Sequence, residues 1–125
     1  MHLAMLHEAT WKRILGGGPS ADDRPYELIN PPPPIWYHGT SSVFYDTIME
    51  RGLEPLSDGW LYLTQNRKLA LFSARRAVQQ HGGYNIVLRV NLSGLGIDLE
   101  GTKLDSRTSS IIPPSNIKKV RTRRV

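Results

Sequence analysis

An α+β domain is the fold class the sequence predicts, and three observations lead to it. Short apolar or β-branched runs alternate with two helix-periodic segments through the middle of the chain, and only strand-like runs follow, in the order β-α-β-α-β-β-β. Glycine- and proline-bearing turns separate these runs. A chain of 125 residues, 39% hydrophobic and 22% charged, has enough apolar material for one core but not for two.

The elements follow in order. Leu3, Leu6, Ile14 and their neighbours approach a helical period over residues 3–15, and Gly16-Gly17-Gly18-Pro19 stops it. Residues 1–30 are therefore read as an N-terminal helix and linker, and 31–125 as the folded domain. Four prolines, Pro31–Pro34, favour extended polyproline II and form a stiff lead-in, or a ligand for a proline-reading domain. Ile35–His38 reads as a strand ended by Gly39. Ser41 and Ser42 are N-cap candidates for a helix over 43–51, with Gly52 at its C-terminal end. Trp60–Thr64 is a second strand after the turn Ser57-Asp58-Gly59. Asn66 caps a helix over 67–80, with Leu69, Ala70, Phe72 or Ser73, Ala77 and Val78 facing inward. Tyr84–Val90 is the most strand-like run, and Ile97–Leu99, Ile111-Ile112 and Ile117–Val120 complete the series.

Composition narrows the functional classes. With no cysteine there is no disulfide framework and no thiolate metal site, consistent with a reducing compartment. No apolar run approaches the roughly 20 residues of a membrane span, and Glu8 interrupts any signal-peptide core, so a cytoplasmic location is expected. His2, His7 and Glu8 lack the spacing of H-E-x-x-H, and no metal is expected. The net charge of +5 equals the five cations Lys118, Lys119, Arg121, Arg123 and Arg124. Such a tail holds an anionic partner such as nucleic acid, or is simply a solvated terminus.

Two strand ends carry the candidate chemistry. Gly39 lets a ligand approach the backbone, whose N–H and C=O can grip an amide in plane. His38 beside it can bond a sugar hydroxyl, and Tyr62 offers a flat ring for stacking. Carboxamide, ring and ribose together describe the nicotinamide half of NAD. The plainer alternative makes His38 a part-buried strand-end histidine and Tyr62 a half-exposed strand residue.

The stretch from Trp36 to about Val120 resembles the ADP-ribosyltransferase superfamily of the diphtheria-toxin and PARP type, together with its RNA 2′-phosphotransferase relatives. The matching pieces are Tyr37-His38-Gly39-Thr40, Ile48-x-x-x-Gly52-Leu53, Leu61-Tyr62-Leu63-Thr64 with a helix holding Ala70, Ala74 and Ala77, the strand Ile86–Val90, and Ile112-Pro113-Pro114-x-x-Ile117. The resemblance implies a split fold of two small sheets with NAD, as substrate, between them. It implies that His38 bonds a ribose, that the Gly39 backbone grips the carboxamide beside Thr40, that Tyr62 stacks on nicotinamide, and that Phe72 is the aromatic nearest a second wall. The family's late glutamate has no counterpart, since no Glu follows Glu100. Asp105 is the nearest acid to that place, and rifamycin ADP-ribosyltransferases are similar in using Asp. A carboxylate there would stabilise the oxocarbenium-like ribosyl centre.

The activity so implied is nicotinamide release with transfer of ADP-ribose to a protein or nucleic-acid acceptor. RNA 2′-phosphotransfer is the alternative. Those relatives rely on arginines beside the family histidine and in place of the tyrosine, whereas Ile35, Trp36 and Tyr37 precede His38 here and Tyr62 is present. Arg67, Arg75, Arg76 and Arg89 are the remaining candidates for anion contacts. A catalytically silent binding module is the third reading.

Overall fold

The structure, a computed structural model, describes residues 26–120. The expected helix over 3–15, the His2/His7 pair and the tail arginines Arg121, Arg123 and Arg124 lie outside them. Two antiparallel sheets and two helices make up the described chain, the α+β split arrangement that the element order and the resemblance imply. Strand β1 is Leu28–Ile29 and β2 is Ile35–Ser41. A 3₁₀ turn, Ser42–Phe44, leads into helix α1, Tyr45–Arg51. Then follow β3 (Leu61–Leu63), helix α2 (Arg67–His81), β4 (Asn85–Asn91), β5 (Leu99–Gly101), β6 (Ser106–Thr108) and β7 (Ile117–Lys119). One sheet runs β1-β5-β6-β3 and the other β2-β4-β7.

The ends of the helices are set by their caps. Ser41 Oγ accepts from Val43 N, and Asn66 Oδ1 accepts from both Lys68 N and Leu69 N, pairing amide donors that a helix start leaves free. Gly52 closes α1 at φ +92°, and a Cβ there would run into the Ile112 carbonyl, which accepts from Leu53 N at 2.9 Å. Helix α2 buries Leu69, Ala70, Ala74 and Ala77. Its small residues at i, i+4, i+7 let the helix lie close against β2.

Trp36, Leu61, Leu63, Leu88, Val90, Leu99 and Ile112 are the fully buried heart of the core between the sheets. Trp36 Nε1 donates to Pro33 O at 2.6 Å, so the proline run and the indole fix where β2 enters the core. Two elements depart from the sequence pattern. Leu28–Ile29, on the linker side of the prolines, pairs with β5. Ser106–Thr108, a polar triplet, becomes an interior strand between β5 and β3. Its inward residues are small hydroxyls that find partners: Ser106 Oγ donates to Leu63 O at 2.9 Å. Ile111-Ile112, expected as a strand, supplies only the single bridge to Leu53.

Candidate functional site

The two sheets are joined by one bridge, and the candidate site lies where they part. Tyr37 N donates to Thr64 O at 2.7 Å and Thr64 N donates to Tyr37 O at 3.0 Å. A continued ladder would next pair Gly39 with Tyr62, but the strands diverge. In an antiparallel strand alternate residues direct both backbone groups to the same side. Tyr37 points its pair at β3, so Gly39 points its N–H and C=O the same way, into the gap. The other neighbour agrees: Val87, opposite Gly39, turns its carbonyl to Val120 N at 2.8 Å and away from β2. The edge of β2 therefore presents a donor and an acceptor side by side at the split.

A cavity of about 380 Å³ opens there. His38, Gly39, Thr40, Tyr62 and Phe72 all line it, together with Ile48 and Thr47 of α1, Ser73 and Arg76 of α2, and Leu53, Glu54 and Leu56 from the connection to β3. Asp105 is not among the lining residues. It sits in the β5–β6 turn, where its backbone oxygen accepts from Thr102 N and its Oδ2 accepts from the Tyr26 hydroxyl at 3.0 Å. Ser106 next to it pairs with Leu63, so this turn belongs to β6, which flanks β3 on the side away from β2, whereas the cavity is lined by β2. Glu54 is the only acid lining the cavity among the described residues, and it pairs with Arg51, also on the wall, at 3.1 Å. Nothing periodic marks Leu53–Leu56 in the sequence, which is why Glu54 is not legible there.

His38 spans the gap. Its Nδ1 lies 2.9 Å from Tyr62 O. A carbonyl only accepts, so Nδ1 carries the proton and neutral His38 holds a lone pair at Nε2. Burial lowers its pKa below the ordinary 6.5, opposed by the bond to Tyr62. The ring is an acceptor with fixed orientation, suited to accept a hydrogen bond from a hydroxyl rather than to carry charge.

This shift has a stability consequence. The unfolded chain takes up a proton on His38 first, so stability is greatest above the ordinary pKa and falls as pH drops through 6.5 toward the lower folded value. The melting temperature is expected to fall more between pH of about 7.5 and about 5.5 in the native protein than in His38→Gln, as thermal denaturation at both pH values will measure. Equal slopes would remove the buried neutral imidazole.

Tyr62 is buried, and its hydroxyl donates to Asp58 Oδ2 at 2.8 Å while Asp58 Oδ1 accepts from Trp60 N. Burial first, then Asp58, pushes the phenol well above its usual pKa, and it stays neutral. Register places Arg107 opposite Tyr62 and Glu100 opposite Arg107. The guanidinium lies 3.9 Å and 4.0 Å from the ring centroids of Tyr26 and Trp60 and bonds Glu100 at 2.7 Å. Tyr62 is thus clamped from behind by a row of paired groups. No group of three or more His, Asp or Glu positioned for a metal occurs among the described residues, and no helix among them is long and apolar enough to cross a membrane.

Against known proteins, no family model matches the chain. Two curated relatives match a part of it: the probable RNA 2′-phosphotransferases of Pseudomonas aeruginosa strains UCBPP-PA14 and ATCC 15692, each 49% identical over 45 residues. That segment is 36% of this chain and spans about a quarter of each relative's length. Over this segment the chain is similar to a transferase of the RNA 2′-phosphotransferase type.

Proposed function

We propose that this protein is an NAD-consuming transferase of the RNA 2′-phosphotransferase type, with the nicotinamide riboside half of NAD bound at the split between the sheets. The observation that carries the reading is the divergence after the Tyr37–Thr64 bridge, which leaves His38, Gly39 and Tyr62 lining one cavity. A carboxamide has one donor edge and one acceptor edge, the complement of Gly39. A ribose hydroxyl donates to His38. Tyr62 packs against the pyridine ring, and Phe72 and Ile48 supply apolar walls. A cavity of about 380 Å³ is near the lower end of ligand pockets, roughly 300–1,000 Å³, so it takes one half of the dinucleotide and leaves the rest at the mouth. Arg76 and Arg51 line that wall and suit phosphate oxygens.

In this reading the ribosyl C–N bond breaks, its electron pair leaves with neutral nicotinamide, and an RNA 2′-phosphate oxygen bonds to the ribosyl carbon. A ribosyl hydroxyl next attacks phosphorus. The RNA 2′-oxygen departs with the proton, and the phosphate leaves on ADP-ribose. The developing ribosyl cation needs a nearby carboxylate. We assign that role to Glu54, which lines the cavity, in place of the Asp105 that the resemblance implies.

One observation favours a second reading. Tyr62 stands where the phosphotransferase pattern implies an arginine, so the reaction would stop once ADP-ribose has joined its acceptor. Incubation with NAD and a 2′-phosphorylated oligoribonucleotide separates the two. The first reading expects free nicotinamide and RNA with a 2′-hydroxyl; the second expects nicotinamide and RNA that retains ADP-ribose. No nicotinamide release with any RNA or protein acceptor would overturn both. The acceptor contact expected of Lys118, Lys119 and the tail arginines belongs to the same proposal.

A further inference from the structure

Charge in this fold is segregated in a way that its near-balanced sum conceals. All eight acids among the described residues (Glu27, Asp46, Glu50, Glu54, Asp58, Asp98, Glu100 and Asp105) lie outside β2, β4, β7 and α2. Those four elements carry Arg67, Lys68, Arg75, Arg76, Arg89, Lys118 and Lys119. The positive excess is therefore built into one layer of the fold and is not confined to the tail.

Register sharpens this into a site. Tyr37, Arg89 and Lys118 are direct partners across the three strands, so their side chains share one face. His38, the next residue along β2, faces the other way. Arg67, at the start of α2, reaches over the Tyr37 ring at 5.7 Å. Lys68 and Arg75, two helical turns apart, extend the cations along the exposed ridge of α2. Arg89 and Lys118 are exposed, directly opposed and in no ion pair among the described residues. Like charges facing each other across strands destabilise a sheet. Three strands span only about 10 Å, close to one Debye length at physiological salt, so the potentials add. Lys119 takes no part: it turns to the opposite face, over the Tyr45 ring at 5.3 Å.

We propose that this face, the outer side of β2-β4-β7 continued along α2, is a binding surface for single-stranded nucleic acid, distinct from the cavity. Phosphates pair with Arg89, Lys118 and Arg67. The half-buried Tyr37 ring, with the Arg67 guanidinium near it and Arg89 as its cross-strand partner, stacks one unpaired base, an interaction that a duplex with its bases already stacked does not offer. The proposal stands apart from the NAD reading, because the face neither lines the cavity nor needs NAD.

The test measures binding of the full chain, without NAD, to a single-stranded oligoribonucleotide of about a dozen nucleotides lacking any 2′-phosphate, by fluorescence anisotropy across roughly 50–200 mM salt. Arg89→Glu is expected to weaken binding about tenfold at low salt and to flatten the log–log salt slope by roughly 0.7 or more, the share that one neutralised phosphate contributes on a single strand. The same substitution sets a carboxylate opposite Lys118, so the melting temperature is expected to hold or rise. Weaker binding in a protein no less stable cannot come from misfolding. Tyr37→Leu is expected to weaken binding about tenfold with the slope unchanged, the signature of a missing stack. Binding and slope unchanged in Arg89→Glu would overturn the proposal, as would capture by phosphatidylserine vesicles with no RNA binding. Affinity for NAD, measured with no RNA present, is expected to be the same in Arg89→Glu as in the native protein, because neither Arg89 nor Lys118 lines the cavity, so the two readings fail separately.

Discussion

His38→Ala is expected to lower the second-order rate of nicotinamide release by about 100-fold or more, the loss usual when a group that positions the reacting sugar is removed. The expectation rests on the division of labour between the two ring nitrogens. Nδ1 is spent on the Tyr62 carbonyl, and in the proposed reaction Nε2 is the nitrogen that meets the ribose. Two further substitutions separate these roles. Asparagine places an amide nitrogen near Nδ1, so His38→Asn keeps the tie across the split but offers nothing at Nε2. Glutamine reaches the Nε2 position with an oxygen acceptor and gives up the tie. We expect His38→Asn to melt close to the native protein yet turn over as poorly as His38→Ala. His38→Gln is expected to recover part of the rate in a less stable protein. Melting curves and a nicotinamide assay on all three variants check this. If asparagine restored turnover, the imidazole would act by bracing Tyr62 and would not touch substrate.

The chain declares some of this geometry and hides the rest, for reasons that differ by element. Helix α2 is legible because its buried residues recur at helical spacing between an asparagine cap and a glycine, both local signals. Strand β4 is legible because a buried strand needs β-branched and aliphatic side chains in a run. Strand β6 is not, because Ser-Arg-Thr fits the sheet only through partners far away: Leu63 for Ser106 and the Tyr26 and Trp60 rings for Arg107. The same distinction runs through the site. His38, Gly39 and Tyr62 sit on strands that composition marks, although β2 runs on through Gly39 to Ser41 and does not end at the glycine as the sequence suggests. Glu54 reaches the cavity from an irregular connection, and Asp105 is drawn to Tyr26, a residue 79 positions away. The polarity of charge is hidden for a related reason: a one-dimensional count sums Arg89 with acids that the fold places outside β2, β4, β7 and α2.

Gly39→Ala is the substitution with the largest expected effect on the fold, and its cause is not the one the sequence points to. From the sequence, a glycine after the strand-end histidine reads as room for a ligand. The structure gives it a second duty. A Cβ on Gly39 would overlap the Ala70 carbonyl oxygen and lie 2.7 Å from Ala74 N and 2.8 Å from Ala70 C, all backbone atoms of α2. The helix would have to move bodily away from β2. Overpacking of this kind costs about 1–3 kcal/mol and sometimes more; with main chain on the receiving side the upper end applies. At roughly 5 °C per kcal/mol for a domain of this size, the melting temperature should fall by about 15 °C. Gly59 is the control, because a Cβ there has nothing within 4 Å and only the strain of φ +87° opposes it, so Gly59→Ala should cost about 1 kcal/mol. Trimming the facing side chain also tells the cause. Ala74→Gly removes a methyl but leaves the Ala70 carbonyl and the Ala74 nitrogen in place, so it should not rescue Gly39→Ala. Rescue would mean that side-chain crowding, not the approach of two backbones, sets the distance between β2 and α2. The catalytic corollary is that any residual fold of Gly39→Ala carries the Gly39 N–H and C=O on a displaced strand edge. Its affinity for nicotinamide should then fall even below the melting transition, which calorimetric titration of the variant at low temperature will measure.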